Sequence, residues 1–324
     1  MPIWQCDRFL AQAIEPRQDS QNMRVVPTLV VLGTVLAGRA RADVPHLGDA
    51  LDDLLDPRAV AVGEAERGMA TGESSIGLNP SGVAFNHELA LEGDYGYRLA
   101  DGASLINASA CDSTNAVPGC FYYHYTGADP SEGVGPATHS ALHVFGTTLA
   151  YPISPMIAVG TGLKYYHFSS DDTDQSAASG FGLDAGITLH ISNMISIGGA
   201  GYNLIDPSVE LPRAFGGGIV ARPIQMLALS FDSRWLAYQG DHSARYGGGA
   251  QLFVSGSGGQ IGVPISAGVL HDNDLGVTYL SGGLGVTTMG FGIDVTARFA
   301  VDGSSDTEIL AALRLWPVPR GQLQ

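Results

Sequence analysis

The chain has 324 residues, 44 of them glycine, only 15% charged, and a formal charge of −16. Lysine occurs once, at Lys164, so no basic patch exists to track a phosphate backbone, and nucleic acid is excluded as a partner. The body holds no apolar run of about 18 residues, which excludes a helical membrane protein, while a glycine-rich, charge-poor chain suits a β-barrel.

Residues 1–22 are polar and without period, and Met23 reads as the start of translation. From there MRVVPTLVVLGTVLAGRARAD has the layout of a secretory signal peptide: Arg24, an apolar core from Val25 to Gly38, and the small-x-small site Ala40-Arg41-Ala42. The mature chain is expected to begin at Asp43, with residues 1–42 removed. Export agrees with the cysteines. Cys6 precedes the signal, and Cys111 and Cys120 close a short loop that reads as a disulfide in an oxidising compartment.

Residues 43–86 are turn-rich and too irregular to cross a membrane, with a short helical turn expected over Ala50–Leu55. Period-two segments follow, at 87–98, 138–150, 156–169, 180–191, 194–204, 213–222, 225–235, 244–254, 260–270, 276–287, 288–300 and 306–316. A further hairpin near 103–109 and 119–126 raises the count from twelve strands to fourteen. Thr288–Ala300 shows the pattern best: Met289, Phe291, Ile293, Val295 and Phe299 alternate with Gly290, Gly292, Asp294, Thr296 and Arg298. Such strands exceed the usual soluble length of about five or six residues and match a membrane crossing of about ten. Connections at Ser154-Pro155, Ile191-Asn193 and Arg222-Pro223 are short and alternate with longer polar stretches such as 170–179. An all-β, antiparallel, up-and-down transmembrane barrel of 12–14 strands over 87–316, with a tail at 317–324, is the expected fold. Its apolar face meets lipid, and its charges (Lys164, Asp184, Asp232, Arg234, Arg245, Asp294, Arg298, Glu308, Arg314) face a lumen and pair there. Tyr165, Tyr166, Phe168, Trp235, Tyr238 and Trp316 are expected in interfacial girdles. Inward glycines, among them Gly160, Gly186, Gly247 and Gly249, leave room for a plug or permit curvature.

The stretch Gly63–Ala84, GEAERGMATGESSIGLNPSGVA, resembles the N-terminal motif of the FadL/PorV-type outer-membrane barrels, through Arg67, Gly68, Met69 and Asn79-Pro80-Ser81-Gly82. A second stretch, 198–218, is similar to a strand-turn-strand unit of the smaller PorV-type members, through Asn203, Leu204, Pro212 and Gly217. The resemblance implies that 43–86 folds into the lumen as a hatch, with Arg67, Asn79, Pro80 and Gly82 as hatch residues. It implies passive transport of hydrophobic small molecules of the fatty-acid or hydrocarbon class across a bacterial outer membrane, with Phe121, Tyr122, Tyr123 and Tyr125 as an aromatic loop touching the ligand. The alternative is a PorV-like scaffold that binds secreted surface proteins. No nucleophile stands at a credible spacing from a base, so no enzyme is expected, and no cofactor or metal site.

Overall fold

The computed structural model describes residues 56–128, 139–171, 177–205, 213–237, 243–256, 261–301 and 306–318. The signal segment, the turn at Ala50–Leu55, Pro212, Tyr238 and residues 319–324 of the C-terminal tail lie outside these residues.

Fourteen antiparallel strands close on themselves: β1 (Leu89–Arg98), β2 (Ala103–Asp112), β3 (Gly119–Ala128), β4 (Ser140–Ser154), β5 (Ile157–Ser170), β6 (Ala178–Ser192), β7 (Ile195–Tyr202), β8 (Ala214–Ile224), β9 (Leu227–Leu236), β10 (Ala244–Ser255), β11 (Ile261–Asp272), β12 (Val277–Thr288), β13 (Phe291–Ala300) and β14 (Thr307–Leu315). Each strand pairs with its sequence neighbours, and β1 meets β14 in an unbroken register from Leu91↔Leu315 to Arg98↔Glu308. Closure leaves no sheet edge for hydrocarbon to strand without a partner.

Side-chain alternation sorts the two faces. In β13, Phe291, Ile293, Val295 and Phe299 are exposed on the outer surface, whereas Asp294 and Thr296 are buried inside. In β14, Ile309, Leu313 and Leu315 point out, and Glu308, Leu310, Ala312 and Arg314 point in. Large apolar side chains cover the outside of every strand pair, far beyond what a water-facing surface carries. The barrel is therefore of the outer-membrane type, apolar to lipid and polar within.

The two rims differ. Tight turns at Pro155-Met156, Asn193-Met194, Gln225-Met226 and Met289-Gly290 share one rim with the start of β1 and the end of β14. Three of the four are built alike. The hydroxyls of Ser154 and Ser192 accept from the amides two and three residues on, at 3.1–3.2 Å, and Thr288 accepts from Gly290 and Phe291 at 3.3 and 3.0 Å. Long connections gather at the other rim, which identifies it as the external one.

Three expectations are corrected. Thr288 is the last residue of β12, and Met289 and Gly290 form the turn because the Thr288 hydroxyl captures the Gly290 and Phe291 amides, so β13 spans only the ten residues from Phe291. The turn expected at Arg222-Pro223 falls at Gln225-Met226; the register shifts between Ala221 and Ile224, where a proline without an N–H is tolerated. Among the described residues of the supposed girdle, only Tyr165 and Trp235 face outward. Tyr166 and Phe168 share the inner face with Lys164, two and four residues before them, and are buried. Trp316 is buried too, its indole under the Arg314 guanidinium at 5.6 Å.

Candidate functional site: the hatch and its seat

Residues 56–86 lie inside the barrel. Asp56 caps helix α1 (Pro57–Ala61), its Oδ1 accepting from the Ala59 amide at 2.7 Å, and Pro57 fits the first turn because no N–H is needed there. Gly63 and Glu64 then take left-handed φ of 66° and 61°, reversing the chain. Helix α2 (Ser74–Leu78) leads to Asn79, whose side chain caps a 3-10 segment over Pro80–Phe85. The hatch touches the wall on all sides: α1 packs on β11 to β14, the 3-10 segment packs on β3 to β6, and Gly68 lies against the backbone of β7 and β8.

A belt of wall glycines makes this contact close. A Cβ on Gly160 would lie 2.4 Å from the Pro80 carbonyl carbon, one on Gly198 would lie 1.9 Å from the Arg67 carbonyl oxygen, and one on Gly247 would lie 2.0 Å from the Gly63 oxygen. Gly186, Gly216, Gly249 and Gly268 are equally occupied by hatch atoms. Any larger residue here would push the hatch off its seat.

Polar locks hold it. The Asn79 amide nitrogen reaches Arg67 O at 2.8 Å, Ile187 O at 3.1 Å and Thr188 Oγ1 at 3.0 Å, while its oxygen accepts from Ser81 Oγ at 2.7 Å. Gly82 is pressed on Ala70, where a Cβ would meet the carbonyl oxygen at 2.0 Å. Arg67 donates to Asp232 from both its amide (2.8 Å) and its guanidinium (3.1 Å), and its Nε donates to the Tyr202 hydroxyl at 2.7 Å. That hydroxyl donates in turn to Leu78 O, so β7, β9 and two parts of the hatch meet at one point. A polar cleft beside it, lined by Glu64, Arg67, Asp232, Arg234 and Arg245, has room for little more than one water.

Most of the other inward charges are paired, Asp94 of β1 excepted. Lys164 reaches Asp184 at 2.8 Å, Arg245 reaches Asp272 at 2.5 Å, and Arg298 joins Glu64 at 3.0 Å and Glu308 at 2.6 Å. Arg314 binds Glu92 through both nitrogens and lies 3.6 Å from Asp294. Arg234 stacks on the Tyr202 ring at 5.2 Å. Within the hatch, burial pushes the Asp56 carboxyl upward, but Arg58, the Ser74 hydroxyl and the Ala59 amide outweigh it and hold the carboxyl below its ordinary range. Burial raises the Glu66 carboxyl to about 7, aided by Asp56 and Asp232. Burial also raises Glu73 well above the carboxylate range, with Asp94, Glu92 and Asp56 adding to it.

The aromatic residues Phe121, Tyr122, Tyr123 and Tyr125 belong to β3 and not to a loop, and they do not act together. Phe121 is 73% exposed on the outer face, with Tyr123 packed on Phe145 and bonded to His143 Nδ1 at 2.9 Å on the same side. Only Tyr122 turns inward. There it packs on Leu142, Val144, Tyr166 and Phe168, a buried apolar cluster on the external side. It also packs on a second cluster containing Ile76 and Val83 of the hatch and the disulfide Cys111–Cys120. The two clusters form one apolar track down the inner wall of β3 to β5, ending on the hatch. Leu142, Val144 and Tyr202 were not singled out from sequence. The first two lie in the period-two segment 138–150, whose faces the sequence leaves unassigned, and Tyr202 lies within the 198–218 stretch but is not among its matching residues.

No family model matches the sequence, and no curated protein matches it. Solved structures do match. A FadL homologue from Pseudomonas aeruginosa superposes with a TM-score of 0.60 at 10% identity, over 80% of this chain and 97% of that one. The toluene transporter TodX of Pseudomonas putida gives 0.59 at 10% identity over 79% and 96%, and the monoaromatic hydrocarbon channel CymD gives 0.58 at 13% over 80% and 96%. The closed barrel, the inserted hatch and these superpositions together establish that the chain has the fold of the FadL-type outer-membrane channels.

Proposed function

We propose that the protein is a passive channel for hydrophobic small molecules in a bacterial outer membrane, with the hatch as the element that must yield for passage. The observation that carries this is the apolar track. Most lumen charges elsewhere are neutralised in pairs, but Tyr122, Leu142, Val144, Tyr166 and Phe168 pack into a closed apolar seam that starts on the external side and ends on Ile76 and Val83 of the hatch, and a ligand must part these side chains to pass. A hydrocarbon or fatty-acid chain gains by leaving water along such a surface, at about 25 cal/mol per Å² of apolar area. The solved neighbours support the same class: one is a toluene transporter and another a monoaromatic hydrocarbon channel. A scaffold for secreted proteins draws no support from those neighbours.

The test is flux into vesicles carrying the purified protein, with labelled toluene or oleate as the probe. Uptake above protein-free vesicles is expected, and Val144→Asp should cut it about tenfold, equivalent to roughly 1.4 kcal/mol of lost partitioning. Flux equal to empty vesicles would overturn the reading.

A further inference from the structure

We propose that Glu73 of the hatch and Glu92 and Asp94 of β1 form a binding site for a hard divalent cation, best matched by Ca²⁺, which ties the hatch to the first strand. One carboxylate oxygen from each residue lies within 4.8 Å of the others, and all three residues are buried. That span is what an ion with Ca–O distances of about 2.4 Å bridges, and an all-carboxylate donor set selects Ca²⁺ or Mg²⁺ over softer metals.

The independent observation is at Asp94. It is only 6% exposed, and neither of its carboxylate oxygens has a hydrogen-bond partner; Glu73 Oε2 is in the same state beside it. A buried carboxylate without a partner is strongly unfavourable, and proteins relieve it with a cation, a donor or a proton. Two arginines stand close by. Arg314 is engaged by Glu92, with Nε donating at 2.7 Å, and Arg58 by Asp56 at 2.6 Å, with Glu92 a further 3.7 Å away. Five carboxyl groups (Asp56, Glu73, Glu92, Asp94, Asp294) therefore share two guanidinium groups, and the shortfall falls on Glu73 and Asp94. β1 supplies Glu92 and Asp94 because residues two apart on a strand share a face, and α2 begins just after Glu73, which brings that carboxyl to the same wall. The donors come from both the plug and the barrel, so the ion would act as a clamp between them.

The full-length protein, purified in detergent and stripped with EDTA, would be titrated with CaCl₂ by calorimetry alongside the double variant Glu73→Gln/Asp94→Asn. The variant keeps side-chain volumes and removes two unpaired charges, and heat-modifiable migration on gels reports that its barrel is intact. We expect one Ca²⁺ per chain that the variant lacks, and Ca²⁺-dependent protection of residues 57–85 from protease in the wild type alone. Absence of binding by the wild type at millimolar Ca²⁺, or equal binding by both proteins, would overturn the site. Displacement of bound Ca²⁺ by equimolar Mg²⁺ would overturn the assignment of the ion.

Discussion

At the scale of single residues, the seat of the hatch rests on a few buried polar groups whose loss has calculable signs. Arg67 neutralises Asp232 and also bonds Tyr202, all three within the barrel. Arg67→Met leaves Asp232 charged and buried, which costs about 3–5 kcal/mol, while Arg67→Met/Asp232→Leu removes both charges and should recover much of it. Hydrogen exchange at residues 57–85 measures this directly; similar losses in the single and double variants would show that the ion pair is not what holds the hatch. Gly198→Val tests the steric side. Its Cβ would collide with the Arg67 carbonyl, so the hatch must move while β7 keeps its pairing. Raised permeability to small polar solutes, with heat-modifiable migration unchanged, is expected in vesicle swelling assays. Arg67, Asn79 and Pro80 were legible only through resemblance, because nothing in their own spacing says what they touch. Tyr202 was not legible at all, since its role comes from Leu78 and Arg67, over 120 residues away in the chain.

At the scale of elements, the β2–β3 hairpin is both the least readable and the most reinforced. Cys111 and Cys120 are direct partners in its register, 4.1 Å apart at Cα, and their disulfide packs under Ile76 and Val83. Reduction, or Cys111→Ser/Cys120→Ser, reopens the loop between two cysteines nine positions apart and should lower stability by about 2–3 kcal/mol on the chain-entropy account. The check is urea unfolding in detergent with and without reductant; an unchanged midpoint would mean that barrel closure alone fixes the hairpin. The strands around it were readable because their two faces differ in kind, as Phe291, Ile293 and Val295 differ from Gly292, Asp294 and Thr296. β2 lacks that contrast. Its inner face carries Ala103, Leu105, Asn107, Ser109 and Cys111, and its outer face carries Ser104 and Ala108 beside Ile106, so both faces read as mixed. In β3 the run Phe121-Tyr122-Tyr123 masks the period, since Tyr122 is an aromatic on the inner side. The same cause misplaced Tyr166 and Phe168: an aromatic near a strand end fits a lipid interface and an internal cluster equally well until the parity of Lys164 is applied.

At the scale of the whole molecule, wall and hatch answer to different forces. The wall is fixed by closure and lipid, whereas the hatch is fixed by glycine contacts and buried charge, so the seating of the hatch should respond to pH. Glu66 titrates near 7 in the folded protein against about 4.5 when free, chiefly because it is buried and then because Asp56 and Asp232 lie near. An acid with a raised folded pKa binds more protons folded than unfolded. Its protonated form is tolerated below about 4.5, and stability is then lost as pH rises from there to about 7, on the order of 3 kcal/mol across the window. Glu73 shifts in the same direction, and Asp56 in the opposite one, but Asp56 acts only below its ordinary value of 3.8. With divalent cations removed by EDTA, the hatch should therefore sit most firmly in acid and loosen toward neutrality. Hydrogen exchange of residues 57–85, followed between pH 4.5 and 8 after correction for intrinsic rates, reads this out. Glu66→Gln should flatten the slope, because its amide needs no proton to remain buried. Protection that rises with pH in the wild type, or a slope that survives in the Gln variant, would mean that some other group governs how the plug is held.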